Sequence, residues 1–438
     1  GEIWEHPLAF AGRSAAQKLA QTRAAMAQKR ADCLLLSSLD DIAWLFNLRG
    51  DDVSYVPVFC AWALLTPGES TLFVHPGRLS AGAAAMLAEN GVTVRDYDAV
   101  YTALSALPED SRVALNPDRI NCRLAQALPE KCSRLEATDI TTHLKACKDD
   151  AEQAGMRQAN LQDGLAMCAF MQWLPKAMAE GPVTELDVGD KLRALRLAQP
   201  NCIGESFSTI AAYGPHGAMM HYNPANGENT ALQPRGLMVL DSGAQYLSGT
   251  TDITRTVVLG DLTDQERYDY TLALKSHIAL ARARFPEGIT GTQLDTLARA
   301  PIWHEGLDYR CGTGHGVGLC LSVHEGPVGF RVNYNPLPVR AGMVLTVEPG
   351  IYREGLHGVR HENMVLVVPY ENTEYGHYLQ LEPLTLCPID VRGLDVSLLD
   401  AHEIDYLNAY HRKVYDTLSP HMDEAGRAWL KAAAAPIG

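Results

Sequence analysis

The chain has 438 residues, 47% apolar and 20% charged, a globular composition long enough for two or three domains with substantial cores. A net charge of −15 without any Lys/Arg run argues against a nucleic-acid surface or a polybasic membrane anchor. Ten cysteines lie scattered from Cys33 to Cys387 with no CxxC pair, which reads as reduced thiols in a cytoplasmic protein, and no run of about eighteen apolar residues offers a membrane span.

The start, GEIWEHPLAF, lacks the charged and apolar regions of a signal peptide. SAAQKLAQTRAAMAQK, from Ser14 to Lys29, is Ala-rich behind an N-cap serine and predicts a helix, with CLLLSS after it as a strand. TLFVHP, VTVRDY and RVALNP are further strands. Helices are predicted over SAGAAAMLAENG, ending at Gly91, and near YTALSALPED. Strand and helix alternating over residues 1–148 predict an α/β domain.

The pattern changes near Lys148. DDAEQAGMRQANLQDGLAMCAFMQWLPKAMAE predicts one long helix, and TELD from Thr184 is a capping box that opens another. Gly-punctuated strands and hairpins follow from Phe207 to Val258, then helices over TDQERYDYTLALKSHIALARARF and from Thr292, then strands to Val368. This predicts an α+β domain over 149–392, with 393–438 as a helical C-terminal extension.

Chemistry-bearing residues concentrate in the α+β domain. In VLDSGAQYLSGTTDITRTVVL, Asp241 ends an apolar strand and Asp252 sits in the returning one, with LSG at the tip of the hairpin. Alternation on a strand places Asp252, Thr254 and Thr256 on one face, so the two aspartates converge. Glu348 ends the strand of VLTVEPGIY, and Glu362 abuts the apolar run MVLVV. In TGHGVGLCLSVHEGP, His315 and His324 stand nine residues apart among glycines that let backbone approach closely. Four carboxylates buried together without partners would bind protons instead of ionising. Two divalent cations balance their charge, and a ligand set of oxygens with one nitrogen favours a hard ion such as Mn²⁺, with Zn²⁺ or Co²⁺ as alternatives.

At these residues the sequence resembles the pita-bread metallopeptidases, and SGTTDITRT, GTGHGVG…VHEGP, VEPGIY and EPLTLCPID are most similar to the longer, cytosolic aminopeptidase P. SSLDDIAWLFNLRGDDVSYVPVF resembles that type's creatinase-like non-catalytic domain. GEIWE resembles the junction after a further domain, so the chain is expected to lack a first N-terminal domain.

The resemblance implies two metals held by Asp241, Asp252, His315, Glu348 and Glu362, with Asp252 and Glu362 bridging and Glu348 taking the proton of a bridging water. It places His221, in AMMHYNP, and His324 in the substrate cleft. Arg360 would support the second glutamate, an outer contact that orients a ligand.

The implied reaction releases the N-terminal residue from short peptides with proline second. The proline nitrogen is tertiary, so enzymes that grip a scissile N–H fail on this bond. A prolidase restricted to Xaa-Pro dipeptides, or a non-catalytic pita-bread binding module, are the alternatives. A homodimer is implied, with Trp303 either facing a partner's cleft or buried in a core. Cys311 stands where the type commonly has a histidine; it is either a core residue or a cleft thiol whose pKa falls near metal.

Overall fold

The computed structural model describes residues 1–438, which fall into two compact units. The first comprises Gly1–Glu152 with Cys320–Ser322, and the second Gln153–Leu319 with Val323–Gly438.

The first unit is built on a six-stranded sheet in the order Val92–Asp96, Ser70–Val74, Ala61–Leu65, Cys33–Leu36, Arg112–Leu115, Ser133–Glu136. Ala61–Leu65 runs antiparallel to both of its neighbours, and the other pairings are parallel, so the sheet is mixed. Successive side chains point to opposite faces of a strand, and here both faces are covered. Leu34, Leu36, Ala63, Leu65, Leu72 and Val74 enter one core. Cys33, Leu35, Leu64, Phe73, Val113 and Leu115 enter the other. A sheet buried on both sides accounts for strands such as CLLL that read as continuous apolar runs.

The first helix spans Ala15–Gln28 behind a reciprocal capping box of Ser14 and Gln17. In the opening GEIWE, Ile3 is fully buried in this unit's core, and Trp4–Glu5 pairs with Leu48–Arg49.

The second unit carries two principal antiparallel sheets. One has three strands in the order Ile210–Tyr213, Leu237–Ser242, Ile253–Val258. The other has six, in the order Arg284–Pro286, Gly376–Pro383, Asn363–Thr373, Val344–Val347, Gly314–Gly316, Glu325–Phe330.

Helices Asp150–Glu180, Glu185–Leu197, Asp264–Ala281 and Gly291–His304 accompany these sheets, and Ala401–Leu418 and Glu424–Ala433 follow them. Capping boxes at Thr184/Asp187, Thr263/Glu266 and Thr290/Gln293 fix three of the helix starts. The strands extend further than the sequence indicates, since Gly376–Pro383 pairs back on the Asn363 strand beyond Val368.

Candidate metal centre

Strand register delivers the acidic groups. Asp241 lies directly opposite Thr254 in the pairing of Leu237–Ser242 with Ile253–Val258, and Asp252 immediately precedes the returning strand. Between the two strands the chain leaves the sheet at Gly243, and Ala244–Tyr246 turns back on Gly249–Thr250. Glu348 and Glu362 sit at the adjacent ends of the paired strands Val344–Val347 and Asn363–Thr373.

His315 is the middle residue of Gly314–Gly316. A Cβ on Gly314 would run into the Thr346 carbonyl, and one on Gly316 into the Glu325 carbonyl. Only bare backbone threads between those neighbours.

The ligand atoms of Asp252, His315 and Glu362 all lie within 4.8 Å of one another, and the three residues are buried. Glu348 joins them, with His315 Nε2 3.4 Å from both Asp252 Oδ2 and Glu348 Oε1. Asp241 Oδ2 accepts a 2.6 Å hydrogen bond from Arg360 Nη2. Arg360 does not reach Glu362 directly: its Nε donates to Thr254 Oγ1, whose hydroxyl donates to Glu362 Oε2 at 2.8 Å. The expected support for the second glutamate thus runs through a threonine, and the direct ion pair is to Asp241. Tyr352 Oη also accepts from Arg360, and Thr346 Oγ1 donates to Glu348 Oε1.

The donor set fits divalent cations. His315 Nδ1 lies 2.9 Å from the Gly316 carbonyl, which places the proton on Nδ1 and leaves a lone pair at Nε2. That lone pair faces two carboxylate oxygens, an arrangement that requires positive charge between them. Asp241 Oδ1 and Glu362 Oε1 are likewise buried without a hydrogen-bond partner.

With protons as the only counter-charge, the group would titrate far from its ordinary range. Burial pushes the Asp252 carboxyl up to about 7, against the hydrogen bond from His315. Burial and then the charges of Asp252, Glu348 and Asp241 hold Glu362 well above the usual range. For His315 burial opposes the charge, but the Asp252 hydrogen bond and the Glu348 charge outweigh it and raise the imidazole to about 9.

Asp241, Asp252, His315 and Glu348 line a cleft of about 720 Å³. His324 packs edge-on against His315 with ring centroids 4.3 Å apart, and burial followed by the His315 and Arg331 charges lowers it to about 4. His221 lines the same cleft from the loop before the Leu237 strand and is exposed there.

Cys311 also lines the cleft, where burial and then the Glu348 charge push its thiol up to about 11. Trp303 is 44% exposed and donates from Nε1 to Asp308, so it is not a core residue.

Arg331 and Asn333 line the cleft without having been singled out in the sequence, where FRVNYN offers no motif. Thr346 and Tyr352 were likewise not singled out in the sequence.

Residues 154–369 match metallopeptidase family M24, residues 1–152 the Creatinase/Prolidase N-terminal domain, and residues 377–437 the C-terminal region of peptidase M24. Aminopeptidase P1 of Arabidopsis thaliana is 38% identical over 99% of this chain and 75% of its own length. A probable Xaa-Pro aminopeptidase P of Botryotinia fuckeliana is 39% identical over 98% of this chain and 68% of its own.

Among solved structures, the X-prolyl aminopeptidase of Caenorhabditis elegans, described as a cytosolic enzyme with a di-nuclear active site, superposes with a TM-score of 0.95 at 35% identity. It is matched over 100% of this chain and 73% of that one. The Xaa-Pro dipeptidase of Bacillus anthracis, 22% identical with a TM-score of 0.70 over 86% of this chain and 99% of its own, shares the fold.

The expected fold classes therefore hold: a creatinase-like α/β domain, a pita-bread α+β domain and a C-terminal region. The expectation that the chain lacks a first N-terminal domain is corrected by the match over residues 1–152, a Creatinase/Prolidase N-terminal domain. With the family's peptidase region spanning every residue of the acidic cluster, and relatives 38% identical along three quarters of their length, the chain belongs to metallopeptidase family M24.

Proposed function

We propose that this chain is an Xaa-Pro aminopeptidase, releasing the N-terminal residue of short peptides that carry proline second. The observation that carries the reading is the convergence of Asp252, His315 and Glu362 within 4.8 Å, with Glu348 alongside, at a cleft in a chain 38% identical to named aminopeptidases P. Asp241, Asp252, His315, Glu348 and Glu362 would hold two divalent cations, and the oxygen-rich set favours Mn²⁺ over Zn²⁺ or Co²⁺. When bound, the cations supply Lewis acidity and a water whose pKa falls toward neutrality.

The remaining work falls to side chains. Arg360 holds Asp241 and, through Thr254, aligns Glu362. Glu348 accepts the proton of the attacking water on a carboxylate oxygen, and the proton passes to the tertiary nitrogen as the bond breaks. His324 donates a ring N–H to the oxygen of the scissile carbonyl, where negative charge develops, and His221 binds the substrate from the facing wall. His324→Ala is expected to lower kcat by about 10²–10³ while elemental analysis still finds two metal equivalents. Loss of a metal equivalent in that variant would overturn the division between ligand and transition-state roles.

The test is a panel of Xaa-Pro-Yaa tripeptides and Xaa-Pro dipeptides, assayed on metal-depleted protein after addition of Mn²⁺, Zn²⁺ or Co²⁺. Cleavage of tripeptides supports the reading. Turnover of dipeptides alone would make the chain a prolidase, and no turnover with any metal would make it a binding module.

We further place the protein in the cytoplasm, as the nematode enzyme is described. No helix is long and apolar enough to cross a membrane. We assign it a homodimer, with the exposed Trp303 as a contact residue; sedimentation of the wild type against Trp303→Ala checks that assignment.

A further inference from the structure

One buried carboxylate outside the metal cluster gathers an unusual number of donors. Glu185 opens the helix Glu185–Leu197 and is fully buried. Its Oε1 accepts from the Tyr213 backbone N–H at 2.8 Å and faces His216 Nδ1 at 2.8 Å. Its Oε2 accepts from the Thr230 backbone N–H at 2.9 Å and from the Tyr222 hydroxyl at 3.3 Å.

Tyr213 and Thr230 are the two ends of the loop that carries His221, and His216 and Tyr222 lie within it. The same loop supplies three residues of the cleft wall: His221, Tyr222 and Asn223. A single side chain therefore fastens both roots of the loop and two points along it.

The backbone of Glu185 reinforces the closure, its N–H donating to the Thr230 carbonyl. His216 stacks on Tyr222, with ring centroids 4.2 Å apart and planes at 21°. The single Tyr222 hydroxyl proton is shared between Glu185 Oε2 and the Glu228 carbonyl. Between these fixed points His221 is exposed and the neighbouring Met219 is half-exposed. Tyr222 is also buried against Ala212 and Val239, Gly217 packs on Gly358, and the Met220 carbonyl accepts from Arg360 Nη2 at 3.5 Å, so Glu185 shares the anchoring of the loop with these contacts.

A carboxylate is suited to this task because its two oxygens accept four donors, and charge strengthens each bond. Its place in the first turn of a helix adds favourable dipole interaction.

We infer that Glu185 is a positioning residue for the reaction, holding His221 and the loop wall of the cleft at the distance a bound Xaa-Pro peptide requires. The inference rests on the peptidase reading above for the role of His221. It predicts that Glu185 acts on substrate binding through His221 and leaves the metal cluster alone, since none of its four donors is a member of that cluster.

Glu185→Gln keeps the side chain's shape, but its NH₂ turns one accepting oxygen into a donor that confronts existing donors. The experiment measures kcat and KM for an Xaa-Pro-Yaa tripeptide, with metal content, for wild type, Glu185→Gln, His221→Ala and the double variant. Glu185→Gln is expected to raise KM about tenfold with two metal equivalents retained, and to add less than a twofold effect once His221 is already alanine. His216→Ala removes one tether without inverting a donor, and it is expected to raise KM in the same sense if Glu185→Gln does not fold.

Equal effects of Glu185→Gln with and without His221, loss of metal, or unchanged KM in both tether variants would overturn the inference while leaving the peptidase reading intact. A wild-type protein that cleaves no Xaa-Pro peptide would instead overturn the reading beneath it.

Discussion

Glu348→Gln is expected to lower kcat by about two to four orders of magnitude, the range general-base catalysis contributes, while the protein stays folded. Glutamine preserves the shape that Thr346 Oγ1 and His315 Nε2 contact, each within 3.4 Å of Glu348 Oε1. What it loses is the negative charge and the basicity needed to take a proton from water. It also removes one of four carboxylates, so metal affinity falls, and the assay must be run at saturating Mn²⁺ with metal content verified. A kcat within tenfold of wild type under those conditions would remove Glu348 from the role of base.

Metal removal is expected to abolish hydrolysis and to make stability depend on pH in a direction fixed by the buried groups. In the metal-free protein Asp252 titrates near 7, above the ordinary carboxylate value of 3.8. Between those two values the folded state binds more protons than the unfolded state, so stability falls as pH rises through that window. His315, raised from 6.5 to about 9, contributes stability that is fully present below 6.5 and lost as pH climbs through 9. Both terms point the same way.

The melting temperature of the chelated protein should therefore fall steadily from about pH 5 to pH 9. The metal-loaded protein, whose carboxylates are already neutralised by cations, should hold its melting temperature over the same range. Metal uptake at pH 6 should release protons, measurable by calorimetry in buffers of different ionisation enthalpy. Full activity after verified metal removal, or a chelated protein that gains stability with rising pH, would refute the account of the cluster.

Much of the site was legible because its chemistry sits where local rules are strongest. Acidic residues at the ends of apolar strands are awkward without a charge partner, and Asp241, Glu348 and Glu362 all stand there in the fold. A capping box made one helix start readable, at Thr184.

What stayed hidden depends on long-range placement. The first turn at Glu185 reads as ordinary helix capping, and nothing local says that its carboxylate will meet Tyr213, His216, Tyr222 and Thr230. The raised thiol of Cys311 follows from its burial, and burial is not local.

The pairing of Asp241 with Thr254 also says where the gene can tolerate length changes. Side chains alternate with period two, so adding a single residue inside Ile253–Val258 would send every later position to the opposite face. Thr256 would then no longer meet the Arg360 carbonyl, and the ligands would be separated from their supports. The turn between Thr373 and Gly376 has no such constraint, with Tyr375 80% exposed at its tip. An epitope tag or fluorophore peptide inserted there should be silent, whereas a one-codon insertion in the Ile253 strand should eliminate the peptidase altogether.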